Sequence, residues 1–352
     1  MTDQPRAPEN RAWTSVGELV AGRLVAPEQE AVLQQVAEGF RIRVSAPMRA
    51  AIAAADDPIG RQFLPDEAEL VIRADELADP IGDQLHSPVK GLTHRYPDRV
   101  ILAVTQSCEV YCRFCFRRET VGGDGALSDE ELDAALEYIR GRPAIWEVIL
   151  TGGDPLVLSP RRIAALMAGL ARIGHVQIVR IHTRVPVVAP ARISAALIAA
   201  LRGFPVVYVV VHTNHVREIG VEAQGALARL VSAGIPLLAQ TVLLRGVNDD
   251  AAVLEDLFRS LVRNRVTPYY LHHCDLARGT GHFRTTIAEG QRIMAALRGR
   301  LSGICLPTYV LDIPQGFGKV PIGPAYVEGL GGGSFLVTDY QGGVHRYDDP
   351  AS

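Results

Sequence analysis

The chain has 352 residues, 48% of them apolar, and 36 lysines and arginines against 39 acidic residues give a formal net charge of −3. That composition can fill one large α/β domain or two smaller ones, and its charge gives no electrostatic reason to expect nucleic acid or an anionic membrane as partner. No apolar run approaches the ~20 residues that span a bilayer, the opening Met1-Thr-Asp-Gln-Pro-Arg lacks a signal peptide's apolar core, and five cysteines, three of them within eight positions, make no disulfide framework; the expected setting is the reducing cytoplasm and the expected partner a small molecule.

Residues 1–90 read as a helical and irregular cap, with 28–40 the clearest amphipathic stretch and Pro47, Pro58, Pro65 and Pro80 as punctuation. No chemistry is apparent there. From residue 100 the pattern changes. Strands are predicted at 100–106, 147–151, 176–183, 206–213, 236–244 and 266–273, each β-branched or apolar nearly throughout, which suits strands covered on both faces. Helices are predicted between and after them at 159–172, 193–202, 221–232, 251–263 and 287–298. Six strand–helix units with right-handed crossovers imply an α/β fold, a partial (β/α)6 TIM-like barrel over 91–305. A flat doubly wound sheet is the alternative, but the glycine fingerprint of a dinucleotide fold is missing.

The polar residues fall where these strands end. The first strand runs into Cys108-Glu-Val-Tyr-Cys112-Arg-Phe-Cys115, whose spacing can hold three irons of a [4Fe–4S] cube and leave the fourth open. Zinc competes, but a closed structural zinc site needs four ligands, usually as two C-x2-C pairs, and no second pair exists. Thr151-Gly152-Gly153-Asp154 follows the second strand, His182 and Arg184 the third, and His212 the fourth. Gln240 lies within the fifth, and His273-Cys274-Asp275 ends the sixth. A lone histidine beside a strand is more often a core residue than a ligand; six such places around one rim favour a single cavity.

A C-terminal segment, 306–352, runs from a strand at Thr308 through Asp312-Ile-Pro-Gln-Gly316-Phe-Gly318-Lys319, where the lysine suits phosphate binding or imine formation. The spacing is not that of a P-loop. A terminal hairpin is expected from 334–339 and 344–347, with Gly331-Gly332-Gly333 before it as a hinge.

The cysteine spacing resembles the radical S-adenosylmethionine (SAM) superfamily, in which the open iron binds SAM. Thr93-His-Arg95-Tyr96-Pro-Asp-Arg99, the cysteine loop with Arg117, Thr151-Gly-Gly-Asp154, Leu243-Leu-Arg-Gly-Val-Asn248-Asp249, Tyr269-Tyr-Leu-His-His-Cys-Asp275 and Asp312…Gly318-Lys319 together resemble lysine 2,3-aminomutases, from about residue 85 to residue 327. The resemblance implies a radical SAM barrel and an isomerase that moves an amino group from Cα to Cβ of lysine by way of a 5′-deoxyadenosyl radical. It implies a cluster on Cys108, Cys112 and Cys115, and pyridoxal phosphate on Lys319 beside Arg95, Tyr96 and Arg99. SAM would meet Gly152, Gly153, Asp154, His212 and Gln240. Arg117 would take the substrate carboxylate, and Asp275 and Asp312 its distal ammonium. An external one-electron reductant is implied, and a homo-oligomer is compatible.

Bland readings stand beside these. Arg117 is otherwise a surface charge, Asp312 a loop-capping carboxylate and Cys274 a small buried hydrophobe. The chain also departs from better-known members. The position after Asn248-Asp249, where they carry a zinc-binding cysteine, is Asp250, so structural zinc is not expected, and the lysine loop is less glycine-rich than theirs. A relative that makes β-lysine for translation elongation factor P is the nearer alternative; a non-catalytic iron–sulfur or zinc module is the more distant one.

Overall fold

In the computed structural model, which describes residues 11–123 and 125–350, a nine-stranded sheet takes its strands in sequence order. They are β1 (Leu92–Tyr96), β2 (Arg99–Thr105), β3 (Glu147–Gly152), β4 (Ile178–Thr183), β5 (Val207–His212), β6 (Leu237–Leu243), β7 (Val266–His273), β8 (Thr308–Ile313) and β9 (Gly318–Pro321). Neighbours from β2 to β8 pair in parallel, while β1 and β9 pair antiparallel at the two edges. The edges nearly meet, for the Lys319 backbone N–H donates to Tyr96 Oη at 2.8 Å. The sheet is thus an almost closed barrel, as a partial TIM-like fold requires.

Each of β2 to β7 is followed by a main helix, Asp129–Arg140, Pro160–Ala171, Ala195–Leu201, Val221–Ser232, Ala251–Arg263 and Ile287–Leu297 in turn. The helix starts are written into the sequence. Ser128, Ser159, Ser194, Asp250 and Thr286 each accept a hydrogen bond from a first-turn backbone N–H, and Ser128 and Thr286 complete capping boxes with Glu131 and Glu289. Asp250 is therefore used as a helix cap.

The strands are less apolar in function than in composition. In β4, Val179, Ile181 and Thr183 are buried, while Ile178, Arg180 and His182 line a cavity inside the barrel. Tyr208 and His212 of β5, and Leu238, Gln240 and Val242 of β6, repeat the pattern. Period-two geometry sends alternate residues to opposite faces, so the faces under the helices carry the core and the inward faces carry the polar groups. The expected covering of both strand faces thus takes the form of helices outside and a mixed polar and apolar cavity wall inside.

Short helices at Val16–Ala21, Glu30–Gly39 and Ala46–Ala51 form the N-terminal region. Their Leu19, Leu33, Val36 and Met48 share one continuous apolar core with Leu102, Leu150 and Val209 of the barrel. Fully burying each such side chain contributes roughly 1.5–3 kcal/mol, which binds this region to the barrel wall. The opening residues on which a signal peptide was weighed lie outside the described residues.

The C-terminal hairpin is part of a separate three-stranded antiparallel sheet, β10 (Val327–Gly331), β11 (Ser334–Thr338) and β12 (Val344–Asp348). Gly331, Gly332 and Gly333 have φ of 87°, 60° and 80° and turn the chain from β10 into β11. They make a tight turn that needs left-handed backbone, so the hinge reading is corrected.

Candidate active site

The barrel lumen is a cavity of about 840 Å³ that runs from the strand starts, at Arg99 and Glu147, to the strand ends, at Asp154 and His212. A filled barrel would carry layers of side chains there. Every predicted site residue, from Arg95 to Lys319, lines this one space.

The cysteine loop leaves β2 and is fastened to the N-terminal region. The backbone N–H groups of Tyr111 and Arg113 donate to the carbonyls of Arg43 at 2.9 Å and Gln62 at 2.8 Å. The Arg113 guanidinium, fully buried, grips Glu69 through Nε at 2.8 Å and Nη2 at 2.6 Å, and Arg118 Nη2 adds a bond to the same carboxylate at 2.7 Å. Two cations from the loop on one buried anion fix its path.

Burial raises all three thiols above their ordinary range; Cys115, with Cys112 adding repulsion, is pushed up to about 12. At Cys112 burial is opposed by Arg184, whose Nη1 lies 2.9 Å from the sulfur. Arg184 is itself buried and held by Glu218 at 2.5 Å and Gln62 Oε1 at 3.1 Å. Buried thiols that resist ionisation require a strongly cationic partner to act as thiolates, and the irons of a cluster are such a partner.

Gly152 and Gly153 let the end of β3 cross beside the base of that loop. A Cβ on Gly153 would stand 2.2 Å from the Ser107 carbonyl oxygen, and one on Gly152 would stand 2.5 Å from that of Thr105. No other residue fits. The Asp154 carboxylate is already committed, accepting from Thr183 Oγ1 at 2.7 Å and from the backbone N–H groups of Arg184, Leu156 and Val185 at 2.7, 3.0 and 3.2 Å. It splices β3 to β4, so a ligand contact from this motif falls to the backbone around it. His212 and Gln240 are register partners on β5 and β6. Burial holds His212 and His182 well below the usual imidazole range, and the Nε2 of each is buried without a partner, as is that of His272. Unpaired buried ring nitrogens carry a desolvation penalty that a polar ligand would relieve.

On the opposite wall Lys319 sits on β9 rather than in the loop where it was expected, directly opposite Asp312 of β8. Its Nζ pairs with the Asp312 carboxylate and lies 3.2 Å from His272 Nδ1. Gly318 has φ of 95°, and a Cβ there would be 2.9 Å from Tyr96 Oη. The Arg99 guanidinium stacks 3.8 Å above the Tyr96 ring, and Arg95 Nε is buried without a partner. An amine, two guanidiniums and a phenol around one hollow fit an anionic aldehyde cofactor such as pyridoxal phosphate.

Burial raises Asp312, but hydrogen bonding from His272 and the charge of Lys319 outweigh it and hold the carboxyl well below its usual range. Asp275 has no ion pair among the described residues. Burial, then repulsion from Asp312, lifts it to about 7. Arg117 is not a surface charge. It is largely buried and paired with Asp83, and its Nη1 lies 3.4 Å from Thr151 Oγ1. Cys274 is buried among Phe114, Leu244 and Phe283, in keeping with a small hydrophobe.

Sequence reasoning misses two residues at this site, His272 in the cavity wall and Asp83 behind it. His272 reads in the sequence as one histidine of a pair, although strand alternation alone turns it inward beside Tyr270. Asp83 lies in the region read as having no chemistry, and its sequence surroundings carry no signal.

Two family models match the chain, one described as the radical SAM superfamily over residues 102–257 and one as lysine-2,3-aminomutase over 294–352. The L-lysine 2,3-aminomutase of Clostridium subterminale is 43% identical over 296 residues, covering 84% of this chain and 71% of its own. A putative L-lysine 2,3-aminomutase of Aquifex aeolicus is 44% identical over 294 residues, 83% of this chain and 80% of that one. The glutamate 2,3-aminomutase of Clostridioides difficile is 36% identical over 325 residues, 92% of this chain and 77% of that one. No helix among the described residues is long and apolar enough to cross a membrane.

Proposed function

Because the chain belongs to the lysine 2,3-aminomutase family of radical SAM enzymes and is an aminomutase, we propose that it interconverts L-lysine and L-β-lysine with pyridoxal phosphate as its second cofactor. The radical SAM domain implies a [4Fe–4S] cluster and SAM. We assign the cluster to Cys108, Cys112 and Cys115, SAM to the wall formed by Gly152, Gly153, Asp154, His212 and Gln240, and pyridoxal phosphate to Lys319 with Arg95, Tyr96 and Arg99. Of the proposed divisions 1–90, 91–305 and 306–352, the described part of the first caps the main domain, the second is the radical SAM core and the third carries the lysine.

The observation that carries the choice of lysine is the pair of carboxylates, Asp275 and Asp312, in the same lumen as Arg117. Arg117 receives the α-carboxylate on its planar fork. The two aspartates then receive the distal ammonium; at ~4 Å and an effective dielectric of ~20 each contact gives about 4 kcal/mol before desolvation. Holding both ends fixes Cβ in the middle, and that positioning is the protein's main contribution to rate. When bound, the cluster and SAM supply the radical initiator, with an electron from an external reductant, while pyridoxal phosphate supplies the covalent hold on the migrating nitrogen. The barrel wall keeps water from the reacting carbons. The substrate is the free amino acid; any use of β-lysine on elongation factor P concerns the product and not this cavity.

The test is anaerobic reconstitution with iron, sulfide, SAM, pyridoxal phosphate and a one-electron reductant, followed by chromatographic assay for β-lysine. Formation of β-lysine supports the reading. SAM cleavage without any amino migration on lysine would overturn it.

A further inference from the structure

One carboxylate outside the cavity is divided between two arginines inside it. Asp83 Oδ1 accepts from Arg95 Nη2 at 3.1 Å, and Asp83 Oδ2 accepts from Arg117 Nε at 3.1 Å and Nη2 at 2.8 Å. Arg95 and Arg117 both line the main lumen. Asp83 instead lines a neighbouring hollow of about 380 Å³, so Arg117 stands in the partition between the two spaces.

We propose that Asp83 is a positioning residue for recognition of the substrate carboxylate, gripping Arg117 from behind so that its other edge faces the lumen. This rests on the assignment of Arg117 to that carboxylate. A guanidinium offers five donors in a rigid fork. Asp83 consumes the Nε–Nη2 edge, and Thr151 Oγ1 lies 3.4 Å from Nη1, leaving the Nη1–Nη2 edge to receive a carboxylate from inside. Charge agrees with geometry. Two uncompensated guanidiniums side by side in a dry wall would repel, and the shared Asp83 carboxylate offsets that repulsion while leaving Arg117 cationic toward the lumen.

Asp83 is held where it can do this. Its backbone N–H donates to Asp79 Oδ1 at 2.9 Å, and that of Gln84 donates to Asp79 Oδ2 at 2.9 Å. Gly82 has φ of 66°, and a Cβ there would stand 2.5 Å from the Gln315 carbonyl carbon. The Gln315 N–H in turn donates to the Pro80 carbonyl at 3.3 Å. The turn that aims Arg117 is thus built against the loop that precedes Lys319, so the carboxylate grip and the lysine strand share one support.

The experiment measures equilibrium binding of L-lysine and of 1,5-diaminopentane, which lacks the carboxylate, to reconstituted holoenzyme in Asp83→Asn, Asp83→Glu and Arg117→Ala forms. Iron content and the pyridoxal absorbance of each variant check that it has folded. Asp83→Asn should weaken lysine roughly tenfold, equivalent to about 1.4 kcal/mol, leave diaminopentane within about twofold, and raise KM far more than it lowers kcat. Asp83→Glu, which keeps the charge, should recover part of the loss. Equal weakening of both ligands would reduce Asp83 to a structural role and overturn the proposal, and tighter lysine binding would overturn it by making Asp83 a competitor for Arg117. If Arg117→Ala leaves lysine binding unchanged, the assignment of Arg117 itself fails, and this proposal with it.

Discussion

Lys319 and Asp312 stand opposite each other on β9 and β8, and the ammonium of the one lies on the carboxylate of the other. A lysine side chain of the protein therefore occupies the acceptor proposed for the lysine substrate. On the proposed assignment, committing Lys319 to the cofactor would release Asp312 to take the incoming ammonium.

Asp312→Asn should consequently act on substrate binding more than on folding. The neutral amide keeps a hydrogen bond to His272 but loses the charge, so KM for lysine should rise by roughly tenfold or more while iron content stays unchanged. Steady-state kinetics beside an iron assay checks this. An unchanged KM would remove Asp312 from the site.

Lysine binding should also depend on pH through Asp275. Its carboxyl, pushed up to about 7 chiefly by burial, must be ionised to pair with the proposed substrate ammonium. Affinity should rise as pH increases from 6 to 8 and level off above, because less free energy is then spent removing the proton. The linkage to stability has the opposite sign. A carboxyl raised above its unfolded value of 3.8 holds its proton longer in the folded state, so this group's contribution to stability is full at acid pH and is lost as pH rises through about 7. Asp275→Asn should flatten both profiles, read by binding titration and by thermal unfolding at each pH.

Glu69 should matter to the cluster although it touches no cysteine. Glu69→Gln leaves Arg113 buried without its counter-ion, a change that costs about 3–5 kcal/mol. Denaturant unfolding should register that loss, and iron retention on dilution into chelator should fall. Cys108→Ala, Cys112→Ala or Cys115→Ala should each abolish SAM cleavage outright.

Lys319→Ala should lose covalent pyridoxal and all isomerisation yet keep iron, since the cysteine loop is fastened by Arg113 and Arg118 and not by β9. Borohydride trapping and peptide mapping decide the site. Lys90, the other lysine, pairs with Glu131 at 2.7 Å and lines the outer hollow instead. Pyridoxal on Lys90 would contradict the assignment.

The barrel was legible in the sequence because each βα unit announces itself locally. Val266–His273 and Val221–Ser232 follow directly from strand and helix periodicity, and Ser128 or Thr286 marks where a helix begins. The cavity residues were legible because they are polar interruptions at strand ends. Contacts between distant segments were not. Nothing near Asp83 signals that it meets Arg95 and Arg117, since the meeting depends on how a proline-broken cap folds over the rim. The commitment of Asp154 to Thr183 and the backbone of β4's end is equally invisible until both strands are in register. Glycines mislead in the same way, because a run such as Gly331–Gly333 suits a hinge or a tight turn, and only its strand neighbours select the turn.

The central claim is that two acids and one arginine in a shared lumen select a basic amino acid, although the chain also resembles a glutamate 2,3-aminomutase over 92% of its length. Holoenzyme given L-lysine, L-ornithine, L-arginine, L-glutamate and L-alanine side by side, with amino migration followed by chromatography, puts that claim to the test. Lysine should give the highest kcat/KM, and glutamate, which would bring a third carboxylate to Asp275 and Asp312, should give no product. A preference for glutamate or alanine over lysine would contradict the account.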